Sequence, residues 1–118
     1  LIGQIGELFR QQPYFYSLNP PRLGENSIDA FLFNTRSGFC SHYASATAVL
    51  LREAGVPARV VGGYQGGVWH DEQQYLEVRQ REAHAWVEYF DSGAWQRFDP
   101  TAVIAPERVL AAIDEAAE

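Results

Sequence analysis

The spacing of hydrophobic and polar residues changes midway along the chain. In residues 1–11, apolar side chains recur at the three- and four-residue spacing of an amphipathic helix. Residues 28–33 follow Ser27, a residue type that often caps helices, and predict a second short helix. The first part of the chain is therefore predicted to contain two short helices, with an extended loop between them over residues 14–21, where a double proline disfavours helix.

A third helix is predicted over residues 40–54, and we expect it to be buried. It contains no charged residue before Arg52, small residues crowd its middle, and Gly55 follows it as a stop signal. Cys40, which is the chain's one cysteine, occupies the first position of this helix. The sequence thus places a thiol at the start of a buried helix.

The second half of the chain alternates apolar and polar residues, which is typical of strands. Four segments have this pattern: residues 58–64, 74–79, 83–90 and 95–99. We expect an antiparallel meander of about four strands, with residues 65–72 as a mobile loop between the first two. Four glycines of this region are interpreted as turn and bulge residues: Gly62, Gly63, Gly66 and Gly67.

The register of the last two predicted strands follows if they turn at Ser92 and Gly93. This register produces an aromatic, an ionic and an apolar cross-strand pair together: Phe90 with Trp95, Glu88 with Arg97, and Val87 with Phe98. It also makes His84 and Asp99 diagonal neighbours on one face, whereas a slip of one residue would separate them. A hydrogen-bonded histidine–aspartate pair is therefore predicted.

Four other side chains lie on the same predicted face as His84, and the sequence assigns none of them a catalytic role. We interpret Glu88 and Arg97 as a structural pair rather than as catalytic groups. Trp86 and Trp95 either line a substrate groove or pack the cross-strand core, and the sequence leaves both interpretations open.

Composition limits the classes of protein and partner. The 118 residues are 47% hydrophobic and carry a formal charge of −6, which favours one globular domain with its own core. Without a cluster of Lys or Arg, nucleic acid is not an expected partner. No run reaches the ~20 apolar residues that a membrane helix needs. The chain opens with Leu1 and contains no methionine, so we expect it to be a piece of a longer protein.

Cys40 is the candidate nucleophile. The free N–H groups and positive dipole end of a helix N-terminus stabilise a thiolate. Packing of the helix on the predicted strand face would bring Cys40 towards His84, which Asp99 would orient as a base. Two structural alternatives stay open, because a free cysteine is often a small buried apolar residue and a histidine–aspartate pair is often a purely structural contact.

His42 is interpreted as a helix cap or a residue at the rim of the site, since its position two residues after Cys40 should direct it away from the thiol. Zinc bound by Cys40, His42, His84 and Asp99 is an alternative. Structural zinc sites usually contain closely spaced ligand pairs, which this chain lacks. We therefore expect no metal.

Four segments together resemble the core of the transglutaminase-like superfamily. They are FCSHYA at residues 39–44, LREAGVPARVVGGY at 51–64, HAWVEY at 84–89 and WQRFDPT at 95–101. The order Cys, His, Asp also agrees, and the resemblance covers roughly residues 27–103. It is strongest to bacterial inner-membrane proteins that carry such a domain on their periplasmic side.

The resemblance implies an α+β, papain-like fold in which a Cys-bearing helix packs on an antiparallel sheet. It implies Cys40 as nucleophile, His84 as base and Asp99 as the residue that orients the base. The thiolate would attack a carboxamide, often that of a glutamine side chain, release ammonia, and pass the acyl group from a thioester to an amine or water. Calcium-dependent relatives have further domains and metal sites, but no acidic loop of suitable spacing occurs here, and no cofactor is expected.

By the same resemblance, residues 1–118 form one domain of a larger, membrane-anchored bacterial protein and lie in the periplasm. The expected partner is a peptide or protein, with a cell-wall peptide as one possibility. Membrane contact is expected only through other parts of the parent chain. Two alternatives remain: a cysteine peptidase or amidase of the same fold, and a module that binds peptide or cell-wall strands without turnover.

Overall fold

A computed structural model describes residues 1–18, 27–79 and 82–107 of the chain. It confirms the α+β class, with a helix that begins at Cys40 packed on an antiparallel sheet. Within the described residues, no helix has both the length and the apolar character needed to cross a bilayer.

The helices agree with the sequence pattern over most of their length. In chain order they are α1 (Ile2–Gln11), α2 (Ser27–Ala30), a π-helical turn (Phe31–Thr35), α3 (Cys40–Glu53) and α4 (Pro100–Ile104). α1 buries Ile5 and Phe9 as its amphipathic spacing predicts. α4 was not predicted, because its five residues are too few to show a helical period.

Over the described ranges, the strands form three separate sheets. They are β1 (Phe15–Tyr16), β2 (Ser37–Gly38), β3 (Ala58–Tyr64), β4 (Val68–His70), β5 (Tyr75–Glu77), β6 (Ala83–Asp91) and β7 (Ala94–Phe98). β1 and β2 pair in parallel, β4 and β5 form a hairpin, and the main antiparallel sheet has the order β3-β6-β7. β6 is therefore the central strand of the main sheet.

The predicted four-strand meander is wrong in its connectivity. Within the described residues the main sheet has three strands, because β5 pairs with β4 instead of joining it. Residues 65–72, expected to be a loop, contain β4. A three-residue strand is too short to show the period of two in the sequence.

The glycines of this region divide into two groups. Gly66 and Gly67 have positive φ values of 88° and 151° and turn the chain from β3 into β4, as expected. Gly62 and Gly63 are regular members of β3, whose pairing with β6 has no interruption, so the bulge interpretation is wrong for them.

An aromatic cluster fixes the segment around the start of α3. Phe9, Tyr14, Phe31 and Tyr43 pack with ring centroids 4.9–6.3 Å apart, mostly edge to face. The Tyr43 hydroxyl donates to the Phe15 carbonyl over 2.6 Å. These contacts join α1, β1 and the π-helical turn to the first turn of α3, which is the turn that carries the cysteine.

Candidate active site

The N-terminus of α3 is capped by the side chain of His42. Cys40 is the first residue of the helix, and Phe39 precedes it with extended backbone. The Phe39 N–H donates to His42 Nδ1 over 3.2 Å. A Cβ at Gly38 would lie 2.6 Å from the His42 ring, so glycine is needed there. The interpretation of His42 as a cap agrees with this geometry.

The histidine–aspartate pair has the predicted register. The cross-strand partners in β6 and β7 are those expected, including Phe90 with Trp95 and Val87 with Phe98. His84 Nε2 lies 2.7 Å from Asp99 Oδ2, and their side chains are 11% and 8% exposed. The prediction from strand spacing is thus confirmed at atomic distance.

The second carboxylate oxygen of Asp99 is held by the helix that follows it. Asp99 is the N-cap of α4, and its Oδ1 accepts a hydrogen bond of 3.0 Å from the Thr101 N–H. Pro100 occupies the first helical position, where its missing N–H carries no penalty. This anchor was not predicted from the sequence, although the Asp-Pro-Thr order is a recognisable helix-start signal.

The Cys40 thiol completes a chain of contacts with these residues. It lies next to the His84 side chain, the Ala85 backbone N–H and the Ser41 side chain, all of which lower its pKa. Since Asp99 occupies Nε2 of His84, the other ring nitrogen, Nδ1, is the one available to the thiol. The structure therefore brings together all three residues that were singled out.

Contrary to the expectation from the sequence, α3 does not pack on the face of β6 that carries His84. α3 packs on the other side of β6, where Ala85 and Val87 are buried in the core. Side chains alternate along a strand, so His84 lies on the opposite face. The thiol meets the imidazole at the N-terminal end of β6, next to the Ala85 N–H. That backbone contact had no signal in the sequence.

The environment shifts both ionisable groups towards an ion pair. Burial alone would raise the pKa of Cys40, but the hydrogen bond and charge of His84, together with Ala85 N–H and Ser41, lower it. Burial alone would lower the pKa of His84, but hydrogen bonds to Asp99 and Cys40 and their charges raise it to about 9. Both shifts favour a thiolate beside an imidazolium.

One other expectation on this face is corrected, the ion pair between Glu88 and Arg97. Glu88 lies opposite Arg97 in the sheet, but its ion pair is with Arg59, at 2.7 Å. Arg97 instead places its guanidinium 4.3 Å from the centre of the Trp86 ring. The backbone register follows from the pattern of the strands and was predictable. A long charged side chain can reach several neighbours, so its ion-pair partner was not.

The residues of the zinc alternative do not assemble into one site. His42 directs Nδ1 to the Phe39 N–H rather than towards the other three residues. In the described part of the chain, no group of three or more His, Cys, Asp or Glu has an arrangement suited to a metal ion.

A cleft of about 260 Å³ adjoins the start of α3. Its lining residues are Ser27, Ile28, Phe31, Ser41, His42 and Ser45. Ser41 both lines this cleft and contacts the Cys40 thiol. A group bound in the cleft would lie among hydroxyl groups, the His42 ring and two apolar side chains, and Ser41 separates it from the sulfur, since Cys40 does not line the cleft.

Comparison with known proteins agrees with this geometry. The profile of the transglutaminase-like superfamily matches residues 7–100. A Pseudomonas aeruginosa protein named protein-glutamine gamma-glutamyltransferase is 49% identical over 117 residues, which cover 98% of this chain and 18% of that protein. The crystal structure of the periplasmic domain of TgpA from the same organism superimposes with a TM-score of 0.88 at 48% identity, covering 98% of this chain and 40% of that one.

A more distant solved structure shares the fold alone. It is named as a candidate cysteine protease from Cytophaga hutchinsonii and superimposes with a TM-score of 0.63 at 21% identity, over 98% of this chain and 37% of that one. The chain thus spans less than half of each solved structure described here, and less than a fifth of its curated Pseudomonas relative.

Proposed function

The chain belongs to the transglutaminase-like superfamily, and we propose that it is a cysteine acyl transferase with Cys40, His84 and Asp99 as its catalytic residues. What supports these roles most directly is the bond of 2.7 Å between His84 Nε2 and Asp99, together with the position of the Cys40 thiol next to the same imidazole, which lowers the pKa of the thiol. The Pseudomonas relative is named for glutamine-directed transfer.

In the first half-reaction, the Cys40 thiolate attacks the carbonyl carbon of a glutamine side-chain carboxamide. The backbone N–H of Cys40, in the first turn of α3, is free to donate to the developing oxyanion. The His84 imidazolium gives its proton to the departing nitrogen, which leaves as ammonia. The products are a thioester on Cys40 and a neutral imidazole.

In the second half-reaction, the neutral His84 removes a proton from an amine or a water molecule, which attacks the thioester carbon. The carbon–sulfur bond breaks, and the thiolate and imidazolium are restored. Asp99 holds the imidazole by Nε2 throughout. Amine attack gives a substituted amide, and water attack gives a glutamate.

We place the peptide that carries the glutamine in the cleft beside Ser41. The hydroxyls of Ser41 and Ser45 suit backbone amide groups, and Phe31 suits an apolar side chain. The expected substrate is a peptide or protein, and a cell-wall peptide fits the same chemistry.

Mass spectrometry of a peptide library incubated with and without a primary amine tests this proposal. Amine incorporation at glutamine supports transfer, and deamidation supports the same thioester with water as acceptor. Each product must disappear in Cys40→Ala. A library that stays unchanged with the intact protein, or products that persist in Cys40→Ala, would refute the proposal.

Peptide cleavage is the second candidate, because the same thiolate and imidazolium can act on a backbone amide, with a peptide amine as leaving group. Shortened peptides in the same experiment would favour it. A binding module without turnover is the third. Saturable peptide binding that survives Cys40→Ser, with no product from any acceptor, would favour that alternative.

We further propose that the chain is a periplasmic domain of a larger, membrane-anchored bacterial protein. This rests on the 48% identity to a domain whose name gives that location. Protection of an epitope inserted in this domain from protease in intact cells, and its loss after the outer membrane is opened, would support the placement. Protection that persists until the inner membrane is broken would contradict it.

A further inference from the structure

Trp86 lies against the imidazole of His84. The two rings are 6.1 Å apart between centroids with an angle of 26° between their planes, two residues apart on the same face of β6. The guanidinium of Arg97, whose backbone pairs with Glu88 across the sheet, lies 4.3 Å from the centre of the indole ring. The indole therefore has both the guanidinium and the imidazole of the proposed catalytic base as neighbours.

The strand beside β6 is shaped to receive this indole. Gly63 pairs with His84 across the sheet. A Cβ at Gly63 would lie 2.9 Å from Cη2 of Trp86, a distance that real contacts do not show. The backbone of Gly63 belongs to regular β3, so the position of the indole, and not a turn, accounts for the absence of a side chain.

A second arginine–tryptophan contact lies on the same face of the sheet but away from His84. Arg59 lies 3.9 Å from the ring centre of Trp95, which is 42% exposed and packs edge to face on Phe90. Phe90 and Trp95 form a cross-strand pair at the far end of β6 from His84. The chemistry of the two contacts is alike, and their distance from the proposed catalytic residues differs.

We propose that Trp86, held by Arg97 and by the space over Gly63, is a positioning residue that keeps the His84 ring turned with Nε2 on Asp99 and Nδ1 towards Cys40. An imidazole that rotates freely about its side chain would exchange these partners. A flat ring alongside restricts that rotation and excludes water from the 2.7 Å bond to Asp99. The inference rests on the proposed function, in which Cys40 and His84 act together.

The test compares the rate of Cys40 alkylation by iodoacetamide across the pH range, since this rate reports the thiolate and needs no substrate. The charged and titratable groups that face His84 are Cys40, Asp99 and, through the indole, Arg97. In Trp86→Leu, which removes the flat ring, the neutral-pH rate should fall about tenfold, because small misplacements of catalytic groups cost up to ~10²-fold. The acid limb of the profile should move to higher pH.

Two further variants separate positioning from folding. Trp86→Phe keeps a flat ring and should restore most of the alkylation rate. Gly63→Ala displaces the indole without changing either ring and should reproduce the Trp86→Leu profile in part. Trp95→Leu is the matched control and should keep the parental alkylation profile. Thermal unfolding of each variant verifies that it is folded at the assay temperature.

A Trp86→Leu profile that coincides with the parental one would overturn the inference, as would equal shifts in Trp86→Leu and Trp95→Leu. If Trp86→Leu does not fold, the alkylation profile of Gly63→Ala is the deciding measurement. A Gly63→Ala profile that coincides with the parental one would overturn the inference. An ordinary thiol profile in the unmodified protein would refute the proposed function together with the positioning role. A perturbed parental profile that no Trp86 or Gly63 variant moves would refute the positioning role alone.

Discussion

Two histidine–carboxylate pairs cross antiparallel strands in the described part of the chain, and they differ in burial and in their neighbours. His84 and Asp99 are 2.7 Å apart and about nine-tenths buried, and Cys40 contacts the imidazole. His70 and Glu77, on the β4–β5 hairpin, are 3.0 Å apart with side chains 37% and 42% exposed. Each histidine also lies parallel to an aromatic ring.

The comparison shows that residue types at the right spacing do not make a site. Both pairs are diagonal neighbours across antiparallel strands, although on opposite diagonals. The difference is that a helix start anchors the other oxygen of Asp99, whereas Glu77 Oε2 has Arg79 Nε at 3.9 Å. Burial, anchoring and an adjacent thiol together distinguish the pair that we assign to catalysis.

The largest expected effect comes from removing the thiol that sets the two pairs apart. Cys40→Ala should reduce turnover of glutamine peptides by at least about 10⁴-fold, since the covalent step is lost. Product formation is measured by mass spectrometry. His70→Ala is the control and should retain parental turnover. Substantial turnover in Cys40→Ala would mean that the chemistry lies elsewhere.

Replacing the carboxylate of each pair by the matching amide should have unequal effects on turnover. Asp99→Asn keeps an oxygen for the Thr101 N–H but no longer stabilises an imidazolium, so kcat should fall by about 10²–10⁴-fold. The matched change Glu77→Gln should leave kcat within the error of the measurement. Equal effects of the two substitutions would remove the distinction between the pairs.

The pH dependence of turnover should depend on the His84–Asp99 pair and not on the His70–Glu77 pair. The pKa of His84 is raised to about 9, so turnover should decline as pH rises through that value and the imidazolium is lost. On the acid side, turnover should persist below the ordinary thiol pKa of 9.0, since that of Cys40 is lowered, and decline when the thiolate is protonated. Glu77→Gln should leave both limbs in place. Turnover that rises steadily through pH 9 would contradict the ion pair.

The smallest effect concerns the exposed pair itself. Glu77→Gln should change the free energy of unfolding by less than about 0.5 kcal/mol, because solvent-exposed ion pairs contribute little. Urea unfolding monitored by circular dichroism measures it, with Arg10→Gln, which removes the exposed Arg10–Glu7 pair, as a comparison of the same class. A loss of several kcal/mol would show that the hairpin pair is a structural support.

Local pattern was enough to predict the bond between His84 and Asp99 and the position of Cys40 at a helix start. The Phe90–Trp95 and Val87–Phe98 pairs fix the hairpin register, and this register brings His84 to Asp99. The predicted helix, which has no charged residue before Arg52, likewise indicated Cys40 at its start. These features depend on residues close in sequence or on period alone.

Contacts that depend on tertiary placement were not predictable in the same way. The Ala85 N–H reaches the thiol because α3 packs on the opposite face of β6, and nothing in the sequence indicates which face is covered. β5 pairs with β4 because a tight turn brings three-residue strands together. The Asp99 cap is the exception, since Asp-Pro-Thr carries a helix-start signal.

The most direct test of the central claim is the pH profile of Cys40 alkylation in the unmodified protein and in His84→Gln. If thiol, imidazole and carboxylate act as one unit, Cys40 reacts as a thiolate well below its ordinary pKa of 9.0, and His84→Gln returns the profile to that of a free thiol. An unmodified protein that alkylates only as pH approaches 9, or a His84→Gln variant with the parental profile, would contradict the account.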